Sequence, residues 1–267
     1  MTKTTVESQS VDASSDRAIL QVDALGVRFG AFQALTDLTM EIRPGEIVGV
    51  IGPNGAGKST LVNALAGVVE AGTGSVVLGG CDLGQARPVR RARLGLVRTF
   101  QTAQLFGSLT VRANIALAAR SGSGKALDAA IGHALKVLRI EHTLDATADR
   151  LSGGQRKLVE LVRALACGPR VLLLDEPVAG VPMRDRAAVL DLMRHEVAER
   201  GASILLIEHD MEFVSSVCDR LYVMNAGALI AQGSWQEIST NPAVLEAYLG
   251  AVSTPSTDVG DQKKEPK

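Results

Sequence analysis

The sequence predicts an α/β fold with a mainly parallel sheet, an N-terminal antiparallel β portion and an α-helical insert. Short aliphatic runs alternate with segments of helical periodicity towards both ends of the chain, which is typical of a parallel sheet covered by helices. Alanine-rich helical sequence occupies the middle. A length of 267 residues is sufficient for one large domain with such an insert.

The first part of the chain favours strands. We predict strands between Ile19 and Ile51, with a turn at 43–46 before the aliphatic run Ile47–Ile51. Apolar residues at helical spacing predict a helix over Lys58–Val68. Gly72–Gly80 is predicted as a further short strand.

The middle of the chain favours helices. Helical sequence is expected after Phe100 through Ala119 and again over Ala126–Ile140, with a break at Ser121–Gly124. The insert is therefore assigned to residues 101–168, and the surrounding core to 17–100 and 169–250.

The last part of the chain returns to strands alternating with helices. Val171–Leu174 and Ser203–Ile207 are short enough and apolar enough to be buried parallel strands. The other predicted elements are a helix around Leu158–Leu165, a helix around Leu190–Val197, a strand pair Leu221–Asn225 and Ala228–Gln232, and a closing helix over Asn241–Leu249.

Composition limits the possible functions. Hydrophobic residues make up 46% and charged residues 21%, which is typical of a globular protein. The formal net charge of −1 provides no global positive field, so we expect no nucleic-acid partner. We interpret the one dense basic cluster as a solvated helix face; it consists of Arg87, Arg90, Arg91 and Arg93.

The cysteines and the chain ends indicate a cytoplasmic protein. Cys81, Cys167 and Cys218 are far apart and odd in number, so we expect free, mostly buried thiols in a reducing compartment. No apolar run approaches the ~20 residues that cross a bilayer. Residues 1–16 and 251–267 are polar and are predicted to be flexible tails without a secretory signal.

Gly52–Ser59 carries the first chemical motif. Gly52 and Gly57 flank four residues, and Lys58-Ser59 follows, between a predicted strand and a predicted helix. Backbone N–H groups of such a loop surround a phosphate, and Lys58 adds a positive charge. A glycine-rich turn is the alternative, but the strand and helix on either side favour a P-loop NTPase (RecA-like) core. The expected nucleotide ligands are Asn54, Gly55, Ala56, Gly57, Lys58, Ser59 and Thr60.

Two adjacent acids follow the buried strand Val171–Leu174. Asp175 is placed to hold Mg²⁺ together with the Ser59 hydroxyl, and Glu176 to polarise the water that attacks the γ-phosphate. The alternative is an acidic helix start, which is common. An acid after four aliphatic residues in a P-loop protein favours the magnesium interpretation.

The segment Leu151–Gln155 (LSGGQ) is the most specific feature. Ser152 and Gln155 have the spacing of a capping box, which opens a helix in many proteins. The intervening Gly153 and Gly154 leave that helix start open to a phosphate. Together with the P-loop and the acidic strand, this segment resembles the signature motif of ABC ATPases, and the resemblance covers roughly residues 19–250.

The resemblance implies roles for single residues that no pattern assigns. It implies that Ser152, Gly153, Gly154 and Gln155 contact the ATP of a partner subunit. Gln101 matches the family's Q-loop glutamine, a ligand of Mg²⁺ and water, and His209 matches the switch histidine beside the catalytic Glu176. Phe29 matches the aromatic residue that stacks on adenine, with a core position as the alternative.

Three further segments resemble one branch of the family. They are 95–106 (GLVRTFQTAQLF), 207–211 (IEHDM) and 241–250 (NPAVLEAYLG), and they are similar to ATPase subunits of branched-chain amino acid, urea and amide importers. Val181-Pro182 departs from the family pattern, which has Leu followed by Asp or Asn. Because proline removes a backbone donor, we expect the contact of this loop across a dimer to differ.

The resulting hypothesis is an ATP-hydrolysing subunit that uses ATP and Mg²⁺ to power import of a small solute. The resemblance implies a second ABC ATPase subunit, identical or different, transmembrane permease subunits, an extracytoplasmic solute-binding protein, and a peripheral position on the cytoplasmic face of the membrane. The alternatives are an ABC ATPase of another transporter class, such as lipid or lipopolysaccharide export, a non-transport ABC protein, or a small-molecule kinase.

Overall fold

The computed structural model describes residues 18–119 and 124–252. The predicted N-terminal tail lies outside these residues, as do most of the predicted break at Ser121–Gly124 and the C-terminal segment from 253 onward. The last helix continues through Val252, two residues beyond the predicted domain end.

Four strands form an antiparallel sheet in the order β2-β1-β4-β5. Buried and exposed residues alternate at the start of β1, so one face of this sheet packs on the core. The sheet confirms the predicted antiparallel portion. The strands are β1 (Leu20–Phe29), β2 (Phe32–Ile42), β4 (Thr73–Leu78) and β5 (Cys81–Asp82).

Six strands form the central sheet in the order β10-β9-β3-β8-β7-β6. The strands are β3 (Ile47–Ile51), β6 (Leu96–Arg98), β7 (Val171–Asp175), β8 (Ser203–Ile207), β9 (Arg220–Asn225) and β10 (Ala228–Gly233). All neighbours pair in parallel except β9 and β10. Every residue of β3, β7 and β8 is buried, which explains their continuous apolar sequence. The predicted mainly parallel sheet is confirmed.

Nine helices surround the two sheets within the described residues. They are α1 (Lys58–Leu65), α2 (Pro88–Leu94), α3 (Val111–Ala118), α4 (Gly124–Val137), α5 (Gly153–Ala166), α6 (Met183–Arg200), α7 (Met211–Val217), α8 (Trp235–Ser239) and α9 (Pro242–Val252). Single 3₁₀ turns occur at Glu141–Thr143 and Ala148–Arg150. Apolar residues of α3, α4 and α5, including Ile115, Leu135 and Val162, share one buried cluster. The same cluster includes Leu172 and Leu206 of the central sheet, so these helices pack against that sheet.

Two helices differ from their predicted bounds. Helix α1 ends at Leu65, before Val68, because Gly67 takes a positive φ of 73°. Helix α3 begins at Val111, well after Phe100, where the Thr110 hydroxyl caps it by accepting from Ala113 N–H at 3.2 Å. The segment before it is a loop, which hydropathy periodicity does not distinguish from helix.

The interpretation of the basic cluster was wrong for one of its members. Arg91 is only 5% exposed. Its guanidinium donates to the carbonyls of Ala64 and Leu65 at 3.0 and 2.7 Å, and so satisfies the open end of α1. Arg87, Arg90 and Arg93 are exposed, in agreement with the prediction.

The expectation of mostly buried thiols was also wrong. None of the three cysteines forms a disulfide; Cys81 is exposed, and Cys167 and Cys218 are half-buried. Burial raises the pKa of Cys218 to about 12, so its thiol stays protonated near neutrality.

Helices α7 and α8 were not predicted because each is short. A side-chain cap starts each one: Asp210 accepts from Phe213 N–H at 3.1 Å, and Ser234 forms a capping box with Glu237. Among the described helices, none combines the length and apolar character needed to cross a membrane.

Candidate functional site

A pocket of about 510 Å³ opens at the carboxyl edge of the central sheet, where ligands of open α/β sheets bind. The P-loop, the ends of β7 and β8 and the β9–β10 turn contribute to it. Its lining includes nearly all of the predicted nucleotide ligands and three loop residues predicted for chemistry. The lining residues are Phe32, Gln33, Ala34, Asn54, Gly55, Ala56, Gly57, Lys58, Ser59, Thr60, Gln101, Glu176, Ile207, His209, Ala226 and Gly227.

Glycine is required at two P-loop positions for space as well as for conformation. Gly52 has φ +151°, and a Cβ there would lie 2.1 Å from the Met224 carbonyl oxygen. Gly57 has φ +100° at the start of α1, and a Cβ there would lie 3.0 Å from the Leu35 side chain. The loop is therefore packed directly against β9 and β2, which holds its shape.

Lys58 lies within the P-loop and is only 7% exposed. Its ammonium donates to the Gly52 carbonyl at 2.6 Å and to the Pro53 carbonyl at 2.9 Å. Burial lowers the pKa of Lys58, while the charges of Glu176 and Asp175 raise it. The loop carbonyls thus hold the positive charge at the pocket wall.

Three side chains from separate loops meet at the other wall. Glu176 Oε1 lies 3.1 Å from His209 Nε2 and 3.3 Å from Gln101 Nε2. Glu176 follows β7, His209 follows β8 and Gln101 follows β6, so adjacent parallel strands bring them together. The structure places all three sequence-predicted residues in one cluster within the pocket lining.

The backbone of Glu176 is strained. Its φ of +50° is uncommon for a residue with a side chain, and such conformations concentrate at functional sites. Its N–H donates to the Ile207 carbonyl at 2.9 Å, which ties it to β8. This conformation directs the carboxylate toward His209.

Glu208 is a buried acid that sequence reasoning missed. One carboxylate oxygen accepts from Val178 N–H at 3.0 Å and the other from His209 N–H at 3.2 Å. Burial raises the pKa of Glu208, and these two hydrogen bonds oppose the rise. Glu208 thereby connects the loop after Glu176 to the backbone of His209. Its position directly before His209 was the only available signal.

Asp175, the predicted Mg²⁺ ligand, is the last residue of β7 and does not belong to the pocket lining. It is 4% exposed, and its nearest cation, Arg98, is 3.9 Å away. Burial raises the pKa of Asp175 and Arg98 lowers it, so a further cation would favour the ionised carboxylate. Within the described residues, no three His, Cys, Asp or Glu side chains converge on one point. A site here would combine Asp175 with the oxygens of Ser59, Gln101 and the nucleotide, which are ligands that Mg²⁺ prefers.

The Leu151–Gln155 segment lies outside the pocket lining. Ser152 caps α5: its hydroxyl accepts from Gln155 N–H at 3.2 Å, and Gln155 Oε1 accepts from Ser152 N–H at 3.0 Å. The predicted capping box is therefore present. Ser152 and Gly153 are exposed, so the start of α5 is accessible to a second molecule.

Gly154 is buried beneath the loop that contains Val181-Pro182. A Cβ on Gly154 would lie 2.8 Å from the Gly180 carbonyl oxygen and 3.3 Å from Pro182 Cδ. Val181 is buried in the core, while Pro182 is exposed at the start of α6. The unusual dipeptide thus packs against the signature segment of its own chain.

The aromatic position differs from the sequence prediction. Phe29 is half-exposed and is not part of the pocket lining; Phe32, its partner in the β1–β2 pairing, is. Phe29 as the adenine contact stays a prediction. Ala226 and Gly227 were also missed, and they reach the pocket because Gly227 N–H donates to the Ala56 carbonyl at 3.0 Å. Ala226 and Gly227 connect β9 to β10, and they lie at the pocket because β9 pairs with β3, the strand before the P-loop.

Family models match two parts of the chain. The model described as "ABC transporter" matches residues 35–179. The model described as "Branched-chain amino acid ATP-binding cassette transporter" matches residues 228–253.

Curated relatives are similar over almost their whole length. The probable branched-chain amino acid transport ATP-binding protein LivG of Archaeoglobus fulgidus is 36% identical, over 87% of this chain and 96% of its own. LivG of Escherichia coli K12, named a high-affinity branched-chain amino acid transport ATP-binding protein, is 35% identical over 87% and 98%. BraF of Pseudomonas aeruginosa, which carries the corresponding name, is 33% identical over 88% and 98%.

Solved structures share the fold. A nucleotide-free ATP-binding cassette from an ABC transporter has a TM-score of 0.73 at 32% identity, covering 87% of this chain and 99% of that one. An ATP-binding subunit of an ABC transporter has a TM-score of 0.78 at 28% identity, covering 88% and 99%.

Proposed function

The chain belongs to the ABC transporter family of ATP-binding subunits, and from this premise we propose that it hydrolyses ATP to power import of branched-chain amino acids or a closely related solute. The observation that supports hydrolysis most directly is the Glu176 carboxylate, 3.1 Å from His209 Nε2 beside the P-loop. The proposed substrate class rests on the matching C-terminal segment and on the relatives' names.

The P-loop would bind the triphosphate. Its residues and the start of α1 line the pocket, and backbone N–H groups of such a loop bind phosphate oxygens. When phosphates enter, the Lys58 ammonium exchanges its contacts with Gly52 and Pro53 for phosphate oxygens. Phe29, or its neighbour Phe32, would stack on the adenine.

Glu176 would orient the water that attacks the γ-phosphate and accept its proton. His209 Nε2 lies 3.1 Å from the same carboxylate and Gln101 donates a hydrogen bond to it, so both residues would restrict its direction. Mg²⁺, when bound by Ser59, Gln101 and Asp175, neutralises charge on the phosphates. The water oxygen would bond to the γ-phosphorus as the bond from this phosphorus to the β–γ bridging oxygen breaks, so ADP leaves and the inorganic phosphate carries the water's oxygen.

A second ABC ATPase subunit, identical or different, would complete the site. Ser152 to Gln155 lies outside this chain's own pocket, and Ser152 and Gly153 are exposed. A helix start of this kind is suited to an anion. We therefore assign it to the γ-phosphate held by the P-loop of the other subunit.

An apolar groove of about 380 Å³ beside α2, α3 and α5 is the proposed contact with a permease subunit. Val89, Phe106 and Leu117 line it and are each more than half exposed. The groove lies next to the Gln101 loop, between the proposed core (17–100 and 169–250) and the helical subdomain (101–168). A permease here would place the chain at the cytoplasmic face of the membrane, with a solute-binding protein on the other side.

Reconstitution tests this function. The protein, candidate permeases and a candidate solute-binding protein from the same genome would be placed in liposomes. Uptake of radiolabelled branched-chain amino acids, urea and amides would be followed together with phosphate release, with Mg²⁺ and ATP. We expect both to occur together. Phosphate release without uptake of any branched-chain amino acid, urea or amide would contradict the substrate class. A phosphorylated product in place of free phosphate would indicate a kinase.

A further inference from the structure

Helix α5 presents a row of three charged side chains below its exposed start. Lys157, Glu160 and Arg163 are spaced three residues apart and therefore lie on one face of the helix. All three contact backbone atoms of the segment 100–104. The row thus connects the signature helix to the loop that carries Gln101.

Lys157 makes the contact nearest the proposed chemistry. Its ammonium donates to the Glu176 carbonyl at 3.0 Å and to the Phe100 carbonyl at 3.4 Å. These two carbonyls belong to the residue that carries the acid and to the residue directly before Gln101. A single side chain thus joins two of the three loops that meet at Glu176 Oε1.

Glu160 and Arg163 hold the far end of the same loop. Glu160 Oε1 accepts from Gln104 N–H at 3.1 Å, and Arg163 donates to the Gln104 carbonyl. Glu160 is 1% exposed, so this attachment is buried. The loop is therefore fixed at both ends to α5, and Lys157 alone of the row also reaches Glu176.

The Glu176 backbone needs such a restraint. Its φ of +50° persists only when neighbouring groups determine it. Its N–H is held by Ile207, and its carbonyl accepts from Ala179 N–H at 3.2 Å as well as from Lys157. Among the residues that the structure describes, the other hydrogen-bond donor to this carbonyl is Ala179, which lies in the same turn.

We propose that Lys157 is a positioning residue that links the start of α5 to the orientation of Glu176. Lys157 lies five residues after Ser152 on one rigid helix, so a phosphate bound at Ser152 and the acid that serves this chain's own pocket move together. This inference rests on the proposed function, in which Glu176 orients the attacking water.

The test compares Lys157→Met, which keeps the apolar stem but loses the donor, with Lys157→Arg, which keeps a donor. Lys136→Met, at an exposed position on α4, is the control for removing a lysine charge. Steady-state ATP hydrolysis, nucleotide affinity by fluorescence titration and thermal unfolding are measured on the full chain. We expect Lys157→Met to lower kcat about tenfold or more, since small displacements of catalytic groups have such effects. KM and Kd for ATP should stay within about twofold, and Arg should restore most of kcat.

A double variant separates this inference from the proposed function. In single-turnover assays, Lys157→Met added to Glu176→Gln should cost less than about threefold, because both act through the same carboxylate. A wild-type kcat in Lys157→Met, an equal loss in both backgrounds, or a loss that merely follows a lowered Tm and a raised Kd would overturn the role of Lys157. Normal hydrolysis by Glu176→Gln alone would instead overturn the assignment of Glu176.

Discussion

Glu176 Oε1 accepts a hydrogen bond from Gln101 and lies 3.1 Å from His209 Nε2, although these residues are far apart in the sequence. The three residues follow adjacent parallel strands, so the alignment of the central sheet fixes the position of the carboxylate. Glu208, one residue before His209, holds the histidine backbone from beneath. At the scale of single residues, the site is a set of close polar contacts that fix the Glu176 carboxylate and the His209 backbone.

Replacing that oxygen tests its role. Glu176→Gln is expected to bind ATP normally, because the P-loop is untouched, and to lower hydrolysis about a hundredfold or more. It should also accumulate an ATP-bound dimer, measurable by size-exclusion chromatography with light scattering. Glu212→Gln, an exposed acid on α7, serves as control. Unchanged phosphate release by Glu176→Gln would remove this residue from the chemistry.

The start of α5 has two roles: it contacts the 180–182 loop of its own chain, and it is the proposed contact with the ATP of the other subunit. On its outer side Ser152 and Gly153 are exposed; on its inner side Gly154 packs under the 180–182 loop. Because Pro182 lacks a backbone N–H, this loop uses carbonyl and ring contacts at the place where a donor is usual in the family. The glycines of the signature are therefore not equivalent.

Alanine substitution should distinguish the two glycines. Gly154→Ala would place a Cβ 2.8 Å from the Gly180 carbonyl, so we expect a destabilised fold, by about 1 to 3 kcal/mol in urea unfolding. A Cβ on Gly153 meets nothing within 4 Å, so Gly153→Ala should leave the monomer's stability unchanged. It should instead weaken ATP-dependent dimerisation. Equal stability of both variants would show that the loop yields to the new methyl group.

Across the whole molecule, the burial of carboxylates makes stability depend on pH. Burial raises the pKa of Glu196, which is 2% exposed; Arg200 and His133 lower it. The native state then binds more protons than the unfolded chain above about pH 4, the ordinary range of Glu, so unfolding free energy falls as pH rises through this window. Glu46 acts in the opposite direction: burial raises its pKa, but hydrogen bonds and charge from Arg220 and Arg43 lower it overall.

Glu196→Gln should reveal this dependence. The variant should be more stable relative to wild type at pH 8 than at pH 5. At pH 8 the wild-type protein has to bury an ionised carboxylate, and the variant has none. Urea unfolding at both pH values measures the difference. Glu199→Gln, exposed on the same helix, controls for loss of a surface charge. If the variant gained more stability over wild type at pH 5 than at pH 8, the predicted direction of the pH dependence would be wrong.

The apolar groove should determine assembly with the permease. Phe106→Asp and Leu117→Asp each introduce a charge into the groove. Phe106 is 59% exposed and Leu117 is 64% exposed, so the isolated chain should keep its Tm and its ATP affinity. Copurification with the permease subunits should fall at least tenfold. Leu245→Asp, at a half-exposed position on α9, is the matched control. Assembly that survives both groove substitutions would place the permease elsewhere.

Features encoded over a few residues were predictable from the sequence. The P-loop, the capping box at Ser152 and the buried run before Asp175 depend on local spacing, and the periodic runs gave the sheet and the helices that support them. The prediction of the family followed from the order of these motifs.

Other features depend on distant segments and were decided only by tertiary structure. Arg91 is buried because the carbonyls at the end of α1 happen to face it, and Phe32 reaches the pocket through the β1–β2 pairing. Lys157 meets Glu176 only when α5 packs beside β7. The sequence by itself determined which chemical groups are present and which strands and loops carry them. The tertiary structure decided that Gln101 and His209 meet at Glu176 Oε1, because contacts between these loops form only after the parallel strands align.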